Sequence, residues 1–214
     1  MVKTDYILRM IEQASAFLAA IVFSKKVQNY DFALERITEA YNGLLYLGAG
    51  ELKNFSVDDI VKSNTQRGEL DRTSVEVIAR LMFEEADINE RINGANAASL
   101  ELYEKSLALF LLLCESADAQ KFHNNVDEIT EKLESYETDG DLARKMCAHY
   151  ETRGLYGKAE DMLYELMSSG LPGAKDETAA FYRRLLALSD EALENGNLPR
   201  AEVANGLAEL DARG

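Results

Sequence analysis

The sequence has 214 residues, 47% of them apolar, with 38 acidic and 23 basic side chains giving a formal charge of −15. That length and apolar content can bury a sizeable core, whereas the carboxylate excess disfavours roles built on nucleic-acid phosphates or anionic membrane surfaces. Two prolines, no tryptophan and an abundance of Ala, Leu and Glu predict an all-α chain. In chain order, apolar residues at helical spacing (Ile7, Leu8, Ile11, Leu18, Ile21, Val22) predict a helix over 4–23. A second spans 30–47 and stops at Gly48-Ala49-Gly50. Ser56 with Asp59 reads as a capping box opening a short helix, and 64–68 reads as a loop. Thr73 with Glu76 reads as a second capping box, starting a helix to 92.

Gly94 interrupts the chain, and 95–114 follows as its most apolar stretch, the expected central helix. An acidic helix is expected over 117–136, ending at Thr138-Asp139-Gly140. Further helices are expected over 141–153, 156–169 and 176–195, and a last one from about 197, with Pro199 in its first turn. About ten helices joined by short loops make a series of antiparallel hairpins. They are expected to form a single domain over 1–214, with an internal break near 64–72.

Four hairpins share a spacing in their second helices. Gly154 precedes Ala159, Leu163 and Leu166; Gly196 precedes Ala201, Asn205 and Ala208; Gly94 precedes Ser99, Tyr103 and Ser106. Tyr30 precedes Ala33, Ile37 and Ala40, with Gln28 standing where the glycine should be. A small residue early in the second helix lets paired helices approach closely, and a bulky one a turn later fills the groove to the next pair. In the first helices Cys147 and Tyr150 supply a small residue and an aromatic, but Asp87 and Glu90 do not. These residues resemble the tetratricopeptide repeat, which implies stacked hairpins in a right-handed superhelix. The anchors Ala33, Ser99, Ala159 and Ala201 are 66, 60 and 42 residues apart, not multiples of 34, and the helices after Ser56 and Ala117 lack partners, so the array is divergent. The opening 5–13 with the 30–47 helix also resembles an uncharacterised bacterial family of tetratricopeptide-like proteins, a resemblance that implies a fold and no activity.

Catalytic chemistry has little to stand on. Only His123 and His149 could serve as imidazole bases, and no GxSxG elbow or GKS/GKT phosphate loop occurs. Cys147 and His149, two apart on a helix, point about 200° from each other. A shared ion with Cys114 and His123 is therefore disfavoured, and no metal or cofactor is expected. The carboxylate runs at 84–87 and 127–134 read as solvated faces; the acidic 115–141 surface could attract a basic partner.

The expectation is a cytoplasmic, non-enzymatic scaffold that binds protein or peptide, the alternative being a helical sensor for a small molecule or metal. Stacked hairpins would offer Asp141, Arg144, Glu151, Arg183 and Asp190 on a concave face, the two arginines receiving a peptide carboxylate. The apolar stretch 14–23 is about half of a membrane span. Its excess apolar surface, with Phe17, Leu18 and Phe23, predicts a homodimer through the N-terminal helix.

Overall fold

The computed structural model describes residues 2–45, 54–134, 136 and 139–212. Among these the chain is all-α apart from one two-stranded ribbon. It divides into two compact units, Met1–Glu137 and Thr138–Gly214.

In the first unit α1 (Val2–Lys26) and α2 (Tyr30–Leu45) form a hairpin that packs on α4 (Arg72–Asn93). The most extensive pairing is between α4 and α5 (Ala97–Cys114), and α5 is also covered by α3 (Val57–Ser63) and α6 (His123–Leu133). As its composition predicts, α5 is central, with Leu102, Tyr103, Leu107, Leu109, Phe110, Leu111 and Leu113 all buried. The second unit holds α7 (Gly140–Thr152), α8 (Tyr156–Ser168), α9 (Ala174–Leu185), α10 (Asp190–Asn195) and α11 (Arg200–Ala212). There α7 pairs with α8, and α9 packs on both α8 and α11. The expected glycine stop at 48–50 lies outside the described residues.

Several element boundaries differ from the sequence reading, each for a local reason. The 64–68 stretch is a hairpin, β1 (Thr65–Gln66) with β2 (Glu69–Leu70), inside the first unit. Arg67 and Gly68 take φ of 54° and 82°, the tight turn whose twist suits a two-residue connection. Helix α4 is capped by Asp71, not Thr73: its carboxylate accepts from the Ser74 amide at 3.2 Å and the Ser74 hydroxyl at 2.9 Å. The Ser56–Asp59 capping box forms as expected. The acidic 117–136 segment splits into a 3₁₀ turn (Ala119–Phe122) and α6, because the buried Phe122 turns inward against Phe110, 6.1 Å between ring centres.

The expected 176–195 helix breaks into α9 and α10. Ser189 caps α10, accepting from the Ala192 amide at 3.2 Å. The carbonyls freed at the end of α9 are taken up by Arg200, which donates to Leu186 O at 2.9 Å and to Leu188 O while also pairing with Asp190.

The small-residue pattern is buried in three hairpins: Ala33, Ile37 and Ala40; Ser99, Tyr103 and Ser106; Ala159, Leu163 and Leu166. In the last hairpin Ala201, Asn205 and Ala208 are exposed, and Val203 and Leu210 face the core instead. A frame read from Gly196 is out of step here, because the left-handed stop is Asn197, φ 57°, and Pro199 delays the helix to Arg200. Counted from the first helical residue, three of the four hairpins agree, while Ser99, Tyr103 and Ser106 follow Ala97 by 2, 6 and 9. Ala33, Ile37 and Ala40 follow Tyr30 by 3, 7 and 10 residues; Ala159, Leu163 and Leu166 follow Tyr156 likewise, as do Val203, Leu207 and Leu210 after Arg200.

Gln28, φ 60°, does for α1 what glycine usually does. Its amide bonds Lys25 O and the next amide, Asn29, bonds Ser24 O, the paired stop that satisfies the last carbonyls. Gly196 is required for a different reason, a close approach. Its carbonyl accepts from Gly157 N at 2.9 Å, and a Cβ there would lie 2.2 Å from the Tyr156 ring and 2.6 Å from Gly154 O. Gly196→Ala is therefore expected to destabilise the second unit by about 2–3 kcal/mol, measured by urea unfolding followed by circular dichroism.

Candidate functional site

Helix α4 carries Glu84, Asp87, Glu90 and Arg91 at three- and four-residue spacing, so they share one face. Asp87, at the centre of that face, is only 1% exposed. Three cations from three helices meet its carboxylate. Lys132 of α6 approaches Oδ1 at 2.6 Å, while Lys25 at the end of α1 and Arg91 of α4 approach Oδ2 at 3.0 and 2.8 Å. Lys25 also reaches Glu84 at 2.5 Å and lies 5.7 Å from the centre of the Phe83 ring.

Glu90 extends the cluster. It receives the hydroxyls of Tyr103 at 3.0 Å and Tyr136 at 2.8 Å, and Lys132 at 3.3 Å. The Tyr103 ring is fixed between Phe83 and Tyr136, at 5.9 and 6.2 Å between centres. On the neighbouring face of α4, buried Tyr41 of α2 donates to buried Glu85 at 3.2 Å.

The protonation states follow from these contacts. Burial pushes the Asp87 carboxyl upward, but hydrogen bonds from Arg91, Lys132 and Lys25 outweigh it and hold the group well below the usual carboxylate range. Glu90 is likewise lowered: burial opposes, and the Tyr136, Tyr103 and Lys132 donors prevail. Lys25 and Lys132 are raised, since their carboxylate partners outweigh the cost of burial. Burial and Glu90 push the Tyr136 hydroxyl up to about 12. A carboxylate so firmly ionised has too little proton affinity to act as a base near neutral pH. The cluster's chemistry is that of a clamp.

The residues expected on a concave face all lie in the second unit, within ion pairs. Arg144 Nε donates to both oxygens of Glu177 at 3.0 Å, and the same guanidinium reaches Asp141 at 3.4 Å and Pro172 O at 3.1 Å. Glu151 receives a two-pronged contact from Arg184, both bonds 2.7 Å. Arg183 lies 3.4 Å from Asp211, and Asp190 is held by Arg200. The structure does not gather the five residues around one point: Asp141 pairs with Arg144 within α7, and Arg144, Glu151, Arg183 and Asp190 each pair with a neighbour on an adjoining element. Cys147 is buried in α7, where burial and Glu151 push its thiol up to about 11, and Cys114 closes α5; both are free thiols.

The sequence reading puts Asp87, within the 84–87 run, on a solvated face and gives Glu90 no role. The signal that could have found them was already visible, because both occupy positions where the repeat pattern wants a small residue and an aromatic.

Residues 69–213 match a family of unknown function (DUF6483), and the chain belongs to that family. The match runs from β2 through α11 and leaves out residues 1–68, which include the segment that resembles an uncharacterised bacterial family; it is not a tetratricopeptide-repeat model. No curated protein and no solved structure matches the chain. No helix among the described residues is long and apolar enough to cross a membrane.

Removing the Asp87 charge leaves Arg91 without its carboxylate and Lys25 and Lys132 with only Glu84 and Glu90. Asp87→Asn is expected to cost the first unit about 3 kcal/mol, measured by urea unfolding. The stability contributed by Asp87 is present above the unfolded value, 3.8, because the folded pKa is depressed, and it is lost as pH falls from there through the folded pKa. A stability profile across the acid range should therefore decline below about pH 4 in the native protein and be flatter in Asp87→Asn.

Proposed function

We propose that the protein is a non-catalytic helical scaffold of divergent tetratricopeptide-like construction, acting in the cytoplasm, that binds protein through the apolar tip of its α1–α2 hairpin. The observation that carries this reading is the distribution of exposed large apolar side chains. Among the described residues, Ile11, Val22, Phe23, Val27 and Phe32 all sit on that hairpin, Phe23 being 66% exposed, against Ile92 and Tyr164 elsewhere. Isolated exposed apolar residues need no explanation, but a cluster of this kind marks a contact surface.

Two further features support the reading. Between α1 and α2 lies an open groove of about 490 Å³ lined by Ala16, Phe17, Ala20 and Gly43 with Gln13 and Arg36, a shape that receives apolar side chains. The shared offsets of 3, 7 and 10 residues in three second helices are those of repeated hairpins. A peptide carboxylate arriving at Arg144 or Arg183 would have to displace Glu177 or Asp211, one carboxylate for another. That exchange makes the second-unit arginines a weaker docking point than the hairpin tip.

A second copy of the chain is the partner to test first. Light scattering of the 23.9 kDa chain is expected to give a dimer, and Phe23→Glu with Val27→Glu a monomer of unchanged helicity. A native monomer overturns self-association, and a dimer that survives the double substitution removes the hairpin tip as the interface.

A further inference from the structure

Where α1 ends and α2 begins, the first unit opens a groove of about 230 Å³ lined by Val22, Lys25, Lys26, Gln28, Tyr30 and Arg91. In a chain of charge −15, these walls carry three cations and no carboxylate. Every polar side chain in them can donate a hydrogen bond, two ammonium groups, a guanidinium, an amide and a phenol. We propose that this groove binds a phosphate group, independently of the protein-docking role of the hairpin tip.

The donors are arranged so that part of their capacity is left over. Arg91 uses Nε on Asp87, and its guanidinium also meets the Tyr30 hydroxyl, leaving further N–H groups and the phenolic hydrogen available to an anion. Lys25 is anchored inward on Glu84 and Asp87, so it supplies fixed positive potential instead of a mobile contact. Lys26 is exposed on the rim, and no ion pair to it occurs among the described residues.

The end of a helix ordinarily repels anions through its unpaired carbonyls. Here the bonds from Gln28 and Asn29 take up two of the last carbonyls of α1. The left-handed backbone at Gln28 retains an amide side chain at the groove, where glycine would leave none. Three cations and two neutral donors around a space this small suit an acceptor with three terminal oxygens and nearly two charges better than a planar carboxylate with one. The same group occurs on soluble phosphate esters and on lipid headgroups, and Val22 and Phe23 lie exposed beside the groove.

The test follows thermal unfolding of the full chain with inorganic phosphate at constant ionic strength, using sodium chloride as the control. A saturable rise in Tm, about 3 °C near saturation, is expected with phosphate and not with chloride. Lys26→Gln, a rim substitution that leaves the Asp87 contacts in place, is expected to weaken the midpoint roughly tenfold, the loss of one charge-assisted bond. The absence of a phosphate-specific rise overturns the proposal, as does a rise unchanged in Lys26→Gln. Sedimentation with vesicles of phosphatidic acid, whose headgroup is a phosphomonoester, and phosphatidylcholine in equal parts separates the two sources. Vesicle binding relieved by free phosphate assigns the site to a headgroup, and a phosphate response without vesicle binding assigns it to a soluble ester. Vesicle binding that free phosphate leaves untouched, in a chain whose Tm does not respond to phosphate, overturns the site altogether.

Discussion

A carboxylate withdrawn from water must be met by cations at hydrogen-bond distance, and Asp87 imposes that condition on the whole first unit. Leaving it unpaired would cost several kcal/mol. Each cation near 3 Å returns on the order of 5 kcal/mol at an effective dielectric near 20, less where Arg91 and Lys132 are partly exposed. Three such contacts outweigh the desolvation, and the group stays ionised. The geometric consequence matters more than the energy. Lys25 stands in the last turn of α1, so the α1–α2 hairpin can sit on α4 only in the register that brings this ammonium to Asp87 and Glu84. A slip of one residue would swing it about 100° around the helix. Apolar packing of Ile21, Ile37 and Tyr41 holds the hairpin down without specifying that register so sharply.

The helical class, the central placement of α5 and the small residues between paired helices were legible because each rests on local periodicity. Ser99, Tyr103 and Ser106 show why: with no bulk at 99 and 106, the α5 backbone comes close enough for Ser106 to bond Ala79 O at 2.7 Å. The charge cluster was legible only as a violation. Asp87 and Glu90 break the repeat pattern, but their cations Lys25 and Lys132 come from 62 residues before and 45 after Asp87. Nothing in local spacing announces partners at such separations. An acidic run on a helix therefore read as a solvated face, when one of its members is among the most buried polar groups in the chain.

The positions of the helix stops were hidden for another reason. Glycine is the usual left-handed stop, yet Gln28 and Asn197 take that role at the ends of α1 and α10, while Gly196 keeps an ordinary φ and is needed for its lack of a side chain. Reading the repeat from the glycine displaced the expected face of α11; reading it from Arg200 restores the frame shared with α2 and α8. The break between α9 and α10 was equally invisible, since the carbonyls it exposes are answered by Arg200, more than ten residues along the chain from Leu186.

The clamp and the groove beside it are consequences of one arrangement. Meeting the buried Asp87 draws Lys25 and Arg91 to the end of α1, and their outer surfaces, joined by Lys26, then line a donor-rich hollow in an otherwise acidic protein. Arg91 serves both sides: its Nε bonds Asp87, and the same side chain lines the groove. An anion bound outside would bridge Lys26 of the hairpin to Arg91 of α4 without displacing the carboxylate inside.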